Sequence, residues 1–189
     1  MPESLTVIES GTFSGCLDLT TINLPSSITI IGSGAFADCY NLRGLILPEE
    51  ITTIEDNLFD GCKNLHGITI LEGVTRIGEY AFHECDSLGN IDMPDTVVEI
   101  DDYAFAYCYN LTNVIMSENV ISIGERAFVS CYRLQTIIIP ESVTYIGLNA
   151  FYFCDTLTIN AAHTSKPEGW DDMWNPDHRT VVWGYVIAD

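Results

Sequence analysis

Seven cysteines recur at an unvarying step of 23 residues: Cys16, Cys39, Cys62, Cys85, Cys108, Cys131 and Cys154. Thiols could cross-link the chain, ligate a metal or attack a substrate, and the spacing bears on each. If successive repeats stack as parallel segments about 4.8 Å apart, side chains at one repeat position run parallel. Their Cβ atoms then stay about that far apart, outside the roughly 3.5–4.5 Å that disulfides favour. Four thiolates in a line cannot surround zinc tetrahedrally. The pattern therefore predicts a buried ladder of free thiols acting as small core side chains.

Carboxylates form two further ladders. Glu3, Glu49, Glu72, Asp95, Glu118 and Glu141 share one repeat position, interrupted by Ser26, and Asp56, Glu79, Asp102 and Glu125 share another. Like charges about 5 Å apart in water repel by about 1 kcal/mol or less, so a solvated acidic corner is the expected reading. Bridging of adjacent rungs by Ca²⁺, which takes several oxygens at about 2.3–2.6 Å, is the sharper alternative, but the chain lacks a Gly-Gly-x-Gly-x-Asp calcium turn. Stacked acids also fall near the carboxylate separation of a retaining glycosidase, about 5–5.5 Å. These acids are equivalent and exposed by pattern, with nothing to split their pKa values into acid and nucleophile. His66, His83, His163 and His178 lie in unrelated surroundings with no nucleophile placed by motif. The expectation is no catalytic residue, no metal site and no cofactor.

The elements that position these side chains follow from the same period. Phe13, Phe36, Phe59, Phe82, Phe105, Phe128 and Phe151 each precede a cysteine by three residues, and Leu19 to Leu157 follow each phenylalanine by six. A fixed period of this length marks a solenoid. Within one coil, Ala81, Phe82, Cys85 and Leu88 have the spacing of a short helical or 3₁₀ turn. Ile91 and Met93 then alternate as a strand with one buried face, and Pro94 ends it because it cannot donate to a ladder. Val97 and Ile100 return as anchors of a second short extended segment. The fold class is thus an α/β solenoid, a right-handed array of 23-residue coils with parallel β-ladders and short helical or 3₁₀ turns. Residues 1–157 form about seven coils, the first incomplete. Residues 158–189 form a C-terminal cap, because the period fails at Asn160 and Trp170, Trp174 and Trp183 all fall beyond the repeats, ending in a strand near Val181–Ile187. A sugar-stacking platform is the other use for Trp170 and Trp174.

Between the buried positions of the longer strand, side chains point outward. Asn23, Ile46, Thr69, Asn90, Asp92, Asn113, Ile115, Thr136 and Ile138 make this face, with Thr21 at its start, and it carries little charge. Ile115 and Ile138 occupy successive coils and would serve as an apolar anchor, or equally as ordinary strand formers. Tyr40, Tyr109 and Tyr132 share the position after cysteine, with Tyr107 nearby and Tyr80 and Tyr103 paired elsewhere. Packing over the turn is the simpler reading for these tyrosines, and contact with a partner the other.

With 27 acidic against 7 basic side chains, a net charge of −20, the chain is a poor ligand for nucleic acid or an anionic bilayer. No apolar run is long enough for a membrane span. Basic proteins, cations and neutral glycans stay open. The chain begins in mid-coil, with Val7 and Ile8 where Ile30 and Ile31 stand one period later. This predicts no signal peptide within it, and either a longer parent polypeptide or an end-to-end contact through the uncapped first coil.

The frame Ala127-Phe128-x-x-Cys131-x-x-Leu134-x-x-Ile137-x-Ile139-Pro140, repeated over nearly all of residues 2–157, resembles the BspA-type leucine-rich repeats. The closing Gly-Trp and Val-Val-Trp-Gly segments resemble the ends of such arrays, although the cysteines that relatives often carry there are missing. The resemblance implies a microbial cell-surface or extracellular location and a non-enzymatic, adhesion-type role, binding a host, matrix or neighbouring-cell protein through the sheet face. A structural spacer and an intracellular interaction scaffold are the alternatives.

Overall fold

A computed structural model of the chain describes residues 1–186. Fourteen strands occur among the described residues. In chain order they are β1 (Val7–Ile8), β2 (Ile30–Ile31), β3 (Gly44–Ile46), β4 (Thr53–Ile54), β5 (Gly67–Thr69), β6 (Arg76–Ile77), β7 (Asn90–Asp92), β8 (Glu99–Ile100), β9 (Asn113–Ile115), β10 (Ser122–Ile123), β11 (Thr136–Ile139), β12 (Tyr145–Ile146), β13 (Thr158–Ala161) and β14 (Thr180–Trp183). All pairing is parallel and joins equivalent strands of successive turns, as in Arg76↔Glu99 and Asn90↔Asn113. The result is a solenoid of about 8 turns. The short strands form one ladder, β4-β6-β8-β10-β12, with β1-β2 before it, and the longer strands form β3-β5 and β7-β9-β11-β13-β14.

The α component of the expected class is corrected: no helix occurs among the described residues. The reason lies in the backbone. In every turn one residue (Gly11, Gly34, Asn57, Tyr80, Tyr103, Arg126 or Asn149) has φ between 52° and 66°. A second, four residues on (Gly15, Asp38, Gly61, Glu84, Tyr107, Ser130 or Phe153), has φ between 53° and 71°. Left-handed residues cannot continue a right-handed helix. Instead the amides alternate in direction. Ala81, His83 and Cys85 donate back within their own turn, to the carbonyls of Gly78, Tyr80 and Phe82, while Tyr80, Phe82 and Glu84 donate across to Asp102, Ala104 and Ala106 of the next. A left-handed non-glycine residue costs about 1–2 kcal/mol, and each backbone bond returns about 0.5–1.5 kcal/mol net, so the bonds across turns are of the size needed to hold the strained conformation.

Inside this backbone tube the phenylalanines stack. Phe36 through Phe151 are fully buried, with ring centroids 5.2–5.8 Å apart from Phe13 onward. The leucines of the ladder from Leu42 to Leu134 are buried beside them, as are Val97 and Ile100. At the far end Trp174, one period beyond Phe151, meets that ring edge-on at 6.0 Å. The period slips here rather than failing. Ile159, not Asn160, pairs with Ile137 and supplies the buried side chain, because the connection into β13 is one residue short. The closing strand β14 ends at Trp183, where Gly184 at φ 69° turns the chain. The rest of the strand expected there, at Ile187, lies outside the described residues.

Close packing between turns also fixes Gly124, where a Cβ would fall 2.4 Å from backbone atoms of Asp101 and Asp102. Denaturant unfolding should therefore show Phe82→Ala losing about 3–5 kcal/mol and Gly124→Ala losing about 1–3 kcal/mol through overpacking. Wild-type midpoints for both variants would contradict the stacked arrangement.

Candidate functional site

The nine outward residues read from the sequence lie along the longer-strand face, but not as one surface. Asn23, Ile46 and Thr69 line a cleft of about 1200 Å³ over the early turns, together with Ile22, Leu24, Pro48 and Leu71. Asn113, Ile115, Thr136 and Ile138 line a second, of about 470 Å³, with Met93 and Met116. Asn90 and Asp92, on β7, line neither. The strands themselves divide at the same place, since β5 and β7 are not paired. Glycines 44 and 67, facing each other across β3 and β5, leave the floor of the first cleft without side chains. Ile46 is 80% exposed beside that floor and Ile115 is 55% exposed in the second cleft, whereas Ile138 is half-buried. The recruitment of Ile22 and Leu24, which the period marks as core, and of Leu71, which stands where proline is usual, to the first cleft was not read from the sequence.

Six of the seven thiols are buried and free, and Cys16 is exposed and free. The buried thiols do more than fill space. Cys39 Sγ donates to the Phe13 carbonyl at 3.1 Å, and Cys62, Cys85, Cys108, Cys131 and Cys154 donate in the same way to Phe36, Phe59, Phe82, Phe105 and Phe128 at 3.1–3.2 Å. Burial pushes the Cys39 pKa up to about 11 and raises those of Cys62, Cys85, Cys108 and Cys131 as well. Such thiols are poor nucleophiles at neutral pH.

The acids split by role. Glu3, Glu49, Glu72, Asp95, Glu118 and Glu141 are all exposed. In the second ladder, Asp56 Oδ1 accepts the Glu79 amide at 3.0 Å and Asp102 Oδ1 accepts the Glu125 amide at 2.6 Å, each one turn on. The Arg76 guanidinium bridges Asp56, at 2.8 Å, and Asp101. Burial raises the Asp101 pKa, opposed by the charge of Arg76. No group of three His, Cys, Asp or Glu among the described residues is placed to hold a metal ion. The histidines do not converge: His83 Nδ1 lies 2.7 Å from Asp60 Oδ1, while His163 packs edge-on against Trp170. Trp170 is 1% exposed, its Nε1 donating to the Val143 carbonyl at 3.1 Å, and Trp174 is buried beside it. Buried rings present no face to a sugar, which removes the platform reading.

The comparisons agree with this architecture. The model of the BspA type leucine rich repeat region matches in six copies over residues 1–108 and 52–166. No curated protein matches the chain. Among solved structures, a leucine-rich repeat protein from Bacteroides ovatus is 25% identical with a TM-score of 0.69, over 96% of this chain and 60% of its own. The leucine-rich repeat protein of T. pallidum is 30% identical with a TM-score of 0.75, over 81% and 72%. A leucine-rich cell surface protein from Faecalibacterium prausnitzii is 26% identical with a TM-score of 0.60, over 98% and 53%. The chain thus spans 60% of the Bacteroides protein and about half of the Faecalibacterium one.

The thiol geometry generates a direct test. With Ellman's reagent the native protein should show one fast thiol, abolished by Cys16→Ser, and six that react only on unfolding. Rapid modification of more than one thiol in the native state would refute the buried ladder.

Proposed function

The chain belongs to the BspA-type leucine-rich repeat family, and on that premise we propose that it is a non-enzymatic, adhesion-type binding module of a microbial cell-surface or secreted protein. Its ligand is another protein, held on the longer-strand face by Asn23, Ile46, Thr69, Asn90, Asp92, Asn113, Ile115, Thr136 and Ile138. One observation carries the reading. In a chain of net charge −20, these nine residues include a single charge, and seven of them line two clefts with exposed isoleucines. Exposed isoleucines set among uncharged Asn and Thr, with acids Glu49, Glu50, Asp95 and Glu118 at the cleft edges, support an interaction site there. The surface location draws support from the Faecalibacterium cell surface protein, which shares the fold along nearly all of this chain.

One further assignment belongs to this proposal. Residues 158–186 cover the last turn, supported by Trp174 lying edge-on to Phe151 and by the burial of Trp170.

The test is a surface-immobilised binding screen against extracellular-matrix proteins and mucins, with and without Ca²⁺, comparing wild type with Ile115→Glu/Ile138→Glu. Saturable binding weakened roughly tenfold or more in the variant, the effect of placing unpaired charges in an apolar contact, is the expected result. Absence of wild-type binding in both calcium conditions would move the assignment to a spacer. Undiminished binding by the variant would move the site off this face.

A further inference from the structure

The turn side of the solenoid carries a second surface that the sheet-face reading does not use. Tyr40, Lys63, Asp86, Tyr109 and Tyr132 occupy one repeat position on successive turns. Early in this row the chain satisfies its own chemistry: the Lys63 ammonium lies over the Tyr40 ring, 5.6 Å from its centroid, and pairs with Glu84 at 3.4 Å. Beside the row, the Arg126 guanidinium reaches Tyr103 at its hydroxyl, to which Nη1 donates, and pairs with Glu125 at 2.9 Å. In both, a tyrosine and a carboxylate together hold one side-chain cation.

Further along, the tyrosines are present and the cation is not. Tyr109 and Tyr132 stack with centroids 5.5 Å apart and planes 5° from parallel, and are 39% and 43% exposed. Tyr107 meets Tyr109 edge-on at 6.2 Å. The cation–π pairs among the described residues are those of Lys63 and Arg126, and neither involves these rings. Asp86, the preceding member of the row, and Glu84 both act on Tyr109: its pKa is raised first by burial and then by the Asp86 carboxylate, with Glu84 adding to it. Tyr132 also borders a cleft of about 360 Å³ shared with Tyr103, Tyr107, Tyr152 and Phe153. Arg126 lines the same cleft, its charge already met by Glu125.

We propose that the Tyr109–Tyr132 shelf, with Asp86 beside it, binds lysine or arginine side chains of a basic protein segment, as a site separate from the sheet face. A cation over an aromatic face gains from the ring quadrupole. The surplus of 20 negative charges draws such a segment in and repels nucleic acid and anionic lipid. A protein segment is preferred to a glycan because the two occupied tyrosine sites both hold side-chain cations.

The test uses a labelled peptide of alternating lysine and glycine, titrated into the whole chain at about 0.15 M salt, where charges are screened beyond about 8 Å. Tyr109→Ala/Tyr132→Ala leaves the net charge unchanged and should weaken binding roughly tenfold, whereas Tyr109→Phe/Tyr132→Phe should bind within about threefold of wild type because both ring faces remain. If the alanine pair lowers the thermal midpoint, Tyr109→Leu/Tyr132→Leu, which keeps apolar bulk without a π-face, should show the same loss. A peptide with norleucine in place of lysine should not bind. Failure of the wild type to bind the lysine peptide, equal binding by the alanine or leucine pair, or equal binding of the norleucine peptide would each overturn the proposal. A neutral glycan competing the lysine peptide off would overturn it in favour of sugar stacking.

Discussion

Six of the seven phenylalanine carbonyls of the ladder, Phe13 to Phe128, each accept two hydrogen bonds, and the turn is organised around that double acceptance. The Phe36 carbonyl takes the Cys39 amide of its own turn at 3.2 Å and the Cys62 thiol of the next at 3.1 Å, and Phe59, Phe82, Phe105 and Phe128 repeat the arrangement. A carbonyl at the centre of a solenoid sees no solvent, so a second donor to it comes from within the protein. The donor must be small enough to sit beneath a stack of rings and weakly polar enough to be buried at little cost. Cysteine meets both conditions. Alanine fills the space and leaves the carbonyl singly bonded, while a larger side chain would push apart rings that stand 5.2–5.8 Å from their neighbours. The residue that first suggests redox or metal chemistry is therefore explained by hydrogen bonding between turns.

That constraint accounts for what was legible of the fold and what was not. The period, the phenylalanine and leucine rows and the alternation along Ile91 and Met93 are signals of side-chain type, and the burial of those residues follows them. The backbone of the turn is not written in side-chain type. Spacings of 1, 3 and 3 at Ala81, Phe82, Cys85 and Leu88 suit a helical turn, yet Tyr80 and Glu84 flank Phe82 in the left-handed region. Had glycine stood at every such position, as at Gly11, Gly15 and Gly34, the departure from helix would have been visible. With Arg126, Tyr107 and Phe153 in those places it is not, because amides donated to the next turn stabilise the conformation and lie outside any local window. The one-residue slip before Ile159 escaped for a related reason: a shortened connection leaves no mark until the register Ile137↔Ile159 is seen.

The candidate surface divides along the same line. Alternation along each strand was enough to name the outward residues, since successive side chains of a strand take opposite faces. It could not show that Asn90 and Asp92 separate two clefts, because that division depends on β5 and β7 being unpaired and on two glycines facing each other across β3 and β5. Gly44 has no freedom to be otherwise, since a Cβ there would lie 2.4 Å from the Gly67 carbonyl oxygen. The recess over the early turns is thus a by-product of how closely two strands approach.

Charge gives the remaining argument. A repeat that stacks in register places each side chain beside its own equivalents, so an acidic position becomes an acidic ladder at about 5 Å spacing. The chain moderates this where turns meet most closely. Glu55, Gly78, Asp101 and Gly124 share one position, so acids there alternate with glycines. Arg76 spans Asp56 and Asp101, and the Asp56 and Asp102 carboxylates are each occupied by an amide of the following turn. Acids are thereby consumed as hydrogen-bond acceptors at one corner and left to solvent at another. Replication by repeat would spread charge onto the longer-strand face as readily as anywhere else. Its near absence there, over rows that instead carry Asn, Thr and Ile, is a departure from the rest of the molecule that neither packing nor hydrogen bonding within the turn requires.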